Sequence, residues 1–207
     1  MSPVDPNQHD RFFVSQRIRP IVNQYEVSTL GPDGKSAGEA VAFVEQKRMK
    51  LKEDLRAFTD DSKTTELFRI KAQQVWDPRA TYDITDENGQ RIGQLSKVFG
   101  KSLLRSTWRM HNAAGDEIAW AHERSLLVAL FRRFVGLVPY VGDFADWLPI
   151  PYHFDYYDSA ESPIGGLERI FGVRDRYRLD VTGDADRKID RRIVLALAVG
   201  MDALQAR

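Results

Sequence analysis

Apolar and polar positions alternate with a period of two over much of this 207-residue chain, and clusters of Asp, Asn, Ser and Gly interrupt the alternation. A period of two puts successive side chains on opposite faces of an extended chain, so each run reads as a half-buried strand. Three stretches repeat the order run, turn, run: TLGPDGKSAGEAVAF (29–43), YDITDENGQRIGQLSKV (82–98) and WRMHNAAGDEIAWAHE (108–123). In each, Gly34, Gly89 or Gly115 falls where a tight turn requires positive φ, which a residue without Cβ adopts freely. A looser copy is FDYYDSAESPIGGLERIFG (154–172), and a fifth hairpin, FTDDSKTTELFRIKA (58–72), turns on Asp60, Asp61 and Ser62. The expected apolar face holds Tyr82, Ile84 and Ile92 in the second hairpin, and Trp108, Met110, Ile118 and Trp120 in the third. The turns are unevenly spaced, which excludes a fixed-period solenoid. About ten half-apolar strands then close on one another as a sandwich or barrel.

Three segments leave this rhythm. In 45–58 (EQKRMKLKEDLRAF), Leu51, Leu55 and Phe58 recur at helical spacing between strand-like flanks, and the local pattern leans towards helix. Segment 124–153 has Leu127, Leu130, Phe131 and Phe134 at helical spacing, with Arg132 and Arg133 at one edge, followed by a loop rich in Pro and aromatic residues that includes Tyr140 and Trp147. From Asp190 the chain reads DRRIVLALAVGMDALQAR, with Asp190 as N-cap and an uncharged run from Ile193 to Met201. A helix that is apolar all round has to be enclosed. Its run is well short of the roughly 20 residues a bilayer span needs, so burial inside the protein's own sheet is the favoured reading.

The order VEQKRMKL (44–51), DLRAF with ELFRIK (54–71), TYDITDENGQRIGQL (81–95), TWRMHNAAGDEIA (107–119) and RRIVLALAVGMDAL (191–204) resembles the LURP-one-related family. That family belongs to the Tubby C-terminal-like superfamily and is similar in turn to the phospholipid scramblases. The resemblance implies a mainly β fold: a closed antiparallel barrel of roughly twelve strands around a buried C-terminal helix (190–205), with 45–58 as strand. The Pro, Asn, Gln and Asp content of residues 1–10 suggests a flexible start, and the rest reads as one barrel domain (11–207), with 124–153 as a helical or loop insertion outside the family pattern.

Composition narrows the chemistry. Thirty basic and thirty acidic residues cancel, which argues against a nucleic-acid module acting through broad phosphate neutralisation. The absence of Cys excludes disulfides, thiolate metal sites and cysteine nucleophiles, and is compatible with a cytoplasmic location. Residues 1–20 carry no apolar signal-peptide core. The four histidines (His9, His111, His122, His153) lie in no nucleophile or HExxH motif, and no phosphate-binding Gly loop occurs; Gly165 and Gly166 precede a strand-like run. Asp184, Asp186 and Asp190 are the one candidate metal set, yet the central Gly and terminal Glu of an EF-hand are missing, so a turn plus N-cap is favoured. No catalytic residue and no cofactor is expected.

The function expected from these readings is that of a non-enzymatic binding module, lipid-binding or peripheral to a membrane. The contact residues are Leu127, Leu130, Phe131, Arg132, Arg133, Phe134, Tyr140 and Trp147, because an amphipathic helix with arginines and a Trp/Tyr-rich loop suits an interface. The expected partner is a phospholipid or membrane surface. Alternatives are a protein partner docking on 124–153, in a soluble regulatory scaffold, and scramblase-like lipid transfer.

Overall fold

The alternating runs become twelve antiparallel strands in the computed structural model, which describes residues 3–18, 22–47, 54–73, 81–98, 106–124, 153–170 and 176–205. They are β1 (Arg11–Ile18), β2 (Val22–Leu30), β3 (Ala37–Lys47), β4 (Asp54–Phe58), β5 (Glu66–Ala72), β6 (Thr81–Thr85), β7 (Arg91–Val98), β8 (Thr107–Asn112), β9 (Glu117–Glu123), β10 (His153–Asp158), β11 (Pro163–Ile170) and β12 (Arg176–Asp180). Every strand pairs with its sequence neighbours, and β1 pairs with β12 to close the barrel, Phe12 opposite Leu179 and Val14 opposite Tyr177. Closure leaves no unpaired sheet edge. The described parts of 45–58 are strand: Leu55 and Ala57 are fully buried inside the wall, so cross-strand pairing outweighs the local helical spacing.

Inside the barrel runs α1 (Arg191–Gln205). Residues Ile193–Val199 and Met201 are each at most 1 % exposed, as an all-round apolar helix requires. Fitting it demands room. The inner positions of β7 and β9 include the small Gly93, Ala119 and Ala121, and a Cβ on Gly93 would lie 2.5 Å from Ile193 Cδ1 and 2.8 Å from the His111 carbonyl oxygen. This corrects the expected apolar face. Tyr82, Ile84, Trp108 and Met110 do point inwards, and Ile92 and Ile118 are half-buried against the same core, but Trp120 stands on the outer face, because Ala119 and Ala121 beside it take the positions facing the helix.

The turns β2–β3, β4–β5, β6–β7, β8–β9 and β10–β11, and the link from β12 to α1, share one end of the barrel. They use one device. The N–H of the residue that closes each turn donates to a carbonyl three positions back: Gly34 to Gly31, Lys63 to Asp60, Gly89 to Asp86, Gly115 to Asn112, Glu161 to Asp158 and Arg187 to Asp184. All six have positive φ. Asp60, Asp86, Asn112 and Asp158 also accept backbone N–H bonds through their side chains. Gly89 and Gly115 meet the requirement at no steric cost, whereas Lys63 and Glu161 carry strain where the sequence signal is weakest.

The first ten residues were expected to be loose, but Asp5–Asp10 are tied to this same end. Pro6–Gln8 form a 3-10 turn capped by the Asp5 carboxylate, and Arg187 and Arg191 donate to the carbonyls of Asn7, Gln8 and His9.

Candidate functional site

A helix that fills the lumen leaves recognition to the outer wall and the barrel ends. The outward side chains of β8–β12 form the most differentiated part of that wall. Trp120 and His122, two apart on β9, project on the same side as Tyr157 of β10, which lies opposite Trp120. Their rings stack: Trp120 on Tyr157 with centroids 4.6 Å apart, His122 on Tyr157 at 5.4 Å, and Trp120 on His122 at 5.2 Å. Contacts of this kind add about 1 kcal/mol per pair beyond burial.

Beside the stack, Gly165 and Gly166 of β11 floor a groove of about 410 Å³ lined by Arg11, Arg124, Glu168, Arg178 and Asp180. Both glycines answer to close strand approach. Gly165 has φ of 144°, and a Cβ there would fall 1.9 Å from the Asp180 carbonyl oxygen; one on Gly166 would fall 2.4 Å from that of Phe154. The two therefore lie within a strand rather than before one, and the outer wall above them is bare.

Charges alternate across the groove. Arg124 binds Asp155 through Nε at 2.8 Å and Glu168 through Nη1 at 3.0 Å, Arg178 also donates to Glu168, and Arg11 lies 3.0 Å from Asp180. Partial burial works against ionisation of Glu168, but the bonds from Arg178 and Arg124 outweigh it and hold the carboxyl below its usual range. The bond to Asp155 raises the Arg124 guanidinium. At the rim, burial pushes the His153 imidazole down, and the Arg124 charge adds to the shift. Three guanidinium groups and three carboxylates leave this ladder electrically balanced.

The profile of the LURP-one-related family matches residues 40–202, from within β3 to the last turns of α1. The chain belongs to the LURP-one-related family. No match is found among curated proteins or among solved structures.

In this LURP-one-related barrel the candidate contact residues Leu127, Leu130, Phe131, Arg132, Arg133, Phe134, Tyr140 and Trp147 lie outside the described residues. Their segment nonetheless departs from Arg124, which lines the groove, and re-enters at His153, which lies opposite the groove's Glu168. Asp184, Asp186 and Asp190 are each taken by a different cation. Asp184 accepts from Arg191, Asp186 pairs with Lys188, and Asp190 receives Arg192 and caps the helix through the Arg192 N–H. Among the described residues no group of three His or carboxylate side chains has the geometry of a metal site, and no helix is long and apolar enough to cross a membrane.

Sequence reading missed one pair: Ser96 Oγ lies 3.1 Å from His111 Nε2 across β7 and β8. Among the described residues His111 Nδ1 has no hydrogen-bond partner, so no carboxylate orients the ring as a catalytic base would require. The stacked aromatics were legible as residues, but their assembly depends on the β9–β10 register, which the insertion between those strands conceals from the sequence.

Proposed function

We propose that this LURP-one-related barrel is a non-enzymatic binding module that acts at a membrane surface. Its recognition surface is the β8–β12 outer wall together with the 125–152 segment. The observation that carries this reading is convergence: the amphipathic 127–134 pattern belongs to the segment that begins and ends beside the groove and the aromatic stack. Trp and Tyr side chains pair an apolar body with a polar atom and suit the interfacial zone of a bilayer, while arginines engage lipid phosphates. The filled lumen supports an external mode of binding, since Ile193–Val199 occupy the space an enclosed ligand would need.

Co-sedimentation with neutral and anionic vesicles tests the reading. Binding by the intact protein that is lost in Phe131→Asp with Phe134→Asp, and weakened in Trp120→Ala, is the expected outcome; an intact protein that stays in the supernatant with both vesicle types overturns it. The balanced ladder around Glu168 favours a second reading, docking of a protein partner of mixed charge. That reading predicts partner capture that disappears when 126–148 are deleted.

A further inference from the structure

We infer that residues 5–10 form a strap that sets the depth and rotation of the central helix within the barrel. From Ile193 to Val199 the helix offers the wall only apolar side chains, and hydrophobic burial is non-directional. A slip of one residue, about 1.5 Å along the axis with a rotation of about 100°, exchanges one apolar residue for another. Directional contacts are needed to select one position, and the first turn of α1 concentrates them.

Arg191 carries most of these contacts. Its backbone N–H donates to the Asn7 side-chain oxygen at 2.9 Å. Its guanidinium, fully buried, donates through Nη2 to Asp10 at 2.7 Å, through Nη1 to Asp184 at 2.6 Å and to the Ile189 carbonyl at 2.9 Å, and through Nε to the His9 carbonyl at 3.3 Å. The strap is itself held from outside the helix: Arg187 donates to the carbonyls of Asn7 at 2.9 Å and Gln8 at 3.1 Å and to the Asp10 carboxylate, and the Val181 N–H donates to the Asp10 carbonyl. Wall and helix are thus joined through an arginine whose charge is neutralised only when the helix sits at one depth. A slipped helix would separate the Arg191 guanidinium from the Asp184 carboxylate in a buried place and cost Asp10 one of its two arginines, an arrangement that penalises the wrong register more than it stabilises the right one. The seat of Ile193 against Gly93 lies one helical turn or less away, so shape and charge select position at the same end. The strap lies outside the span that matches the family, residues 40–202, while Arg187 and Arg191, which hold it, lie within that span.

Amide hydrogen exchange on the full-length chain tests the inference, with Asp10→Asn as the principal variant because it keeps side-chain volume and leaves Asp184 to hold Arg191. The expected result is exchange faster by about tenfold at Arg191–Ala196, the effect of losing a charged fastening contact, with Leu95, Met110 and Ala121 of the wall unchanged. Arg187→Gln, which loosens the strap without touching the helix, should give the same pattern with smaller amplitude. An equal rise at helix and wall amides would make Asp10 an ordinary contributor to global stability and overturn the inference. Unchanged helix exchange in both variants would overturn it equally.

Discussion

The two faces of the same strands obey different rules. On β8, β9 and β10 the inward apolar residues are Trp108, Met110, Ala119, Ala121, Phe154 and Tyr156, all at most 1 % exposed, and their sizes are set by the helix they surround. The outward residues of these strands include Arg109, Trp120, His122, Asp155 and Tyr157, which no interior volume constrains. Large and small residues alternate across the inner wall as space allows, while the outer wall gathers rings and charges. In a barrel already filled by its own chain, stability and recognition are assigned to opposite sides of each strand, so a substitution on one side should leave the other property largely intact.

The severest test of that division is Arg191→Ala. It takes the buried Asp184 carboxylate's arginine away and leaves Asp10 with Arg187 alone, and should lower unfolding free energy by about 3–5 kcal/mol in urea denaturation, as breaking a buried ion pair does. Gly93→Leu comes next: the added side chain meets Ile193 and the His111 carbonyl, for a loss of about 3 kcal/mol by the same measurement, partly recovered when Ile193→Ala is added. Asn7→Ala removes a helix cap, and its unfolding midpoint should report a loss of about 1 kcal/mol. Acidification probes the outer wall. Because Asp10 and Glu168 have carboxyl groups held below their ordinary values in the folded protein, the stability they contribute is present above those ordinary values and fades as pH falls through the depressed ones. Thermal melts between pH 6 and pH 3 should therefore decline, and less so in Glu168→Gln. Smallest in stability is Trp120→Ala, at about 1 kcal/mol or less, yet it should weaken vesicle binding. A Trp120→Ala loss as large as that of Gly93→Leu would break the division between the faces.

Much of this fold could be read in the chain because its turns are local. Gly34, Gly89 and Gly115 announce three hairpins, and the uncharged run from Ile193 announces an enclosed helix. The assignment of faces was less accessible: Trp120 looks like core until the volume of α1 is known, since period two marks which residues share a face but not which face is inside. Positive φ at Lys63 and Glu161 carries no compositional mark. The outer-wall site was legible only as separate residues. Trp120, Tyr157, Arg124 and Glu168 come together through β-sheet register across an insertion, and the strap joins Asp10 to Arg191 over nearly the whole chain.

Strand order also dictates a sequence of events during synthesis. Eleven of the twelve strand pairings join consecutive strands and can form as each hairpin leaves the ribosome, but the seam between β1 and β12 and the plug that fills the lumen both await segments that follow the other eleven strands in the chain. Until then the nascent sheet is an open trough lined with Phe12, Tyr25, Phe68, Leu95 and Trp108, all of which α1 finally covers. A wall assembled before that helix is available therefore exposes an oily concave surface, the kind of intermediate that is prone to aggregate.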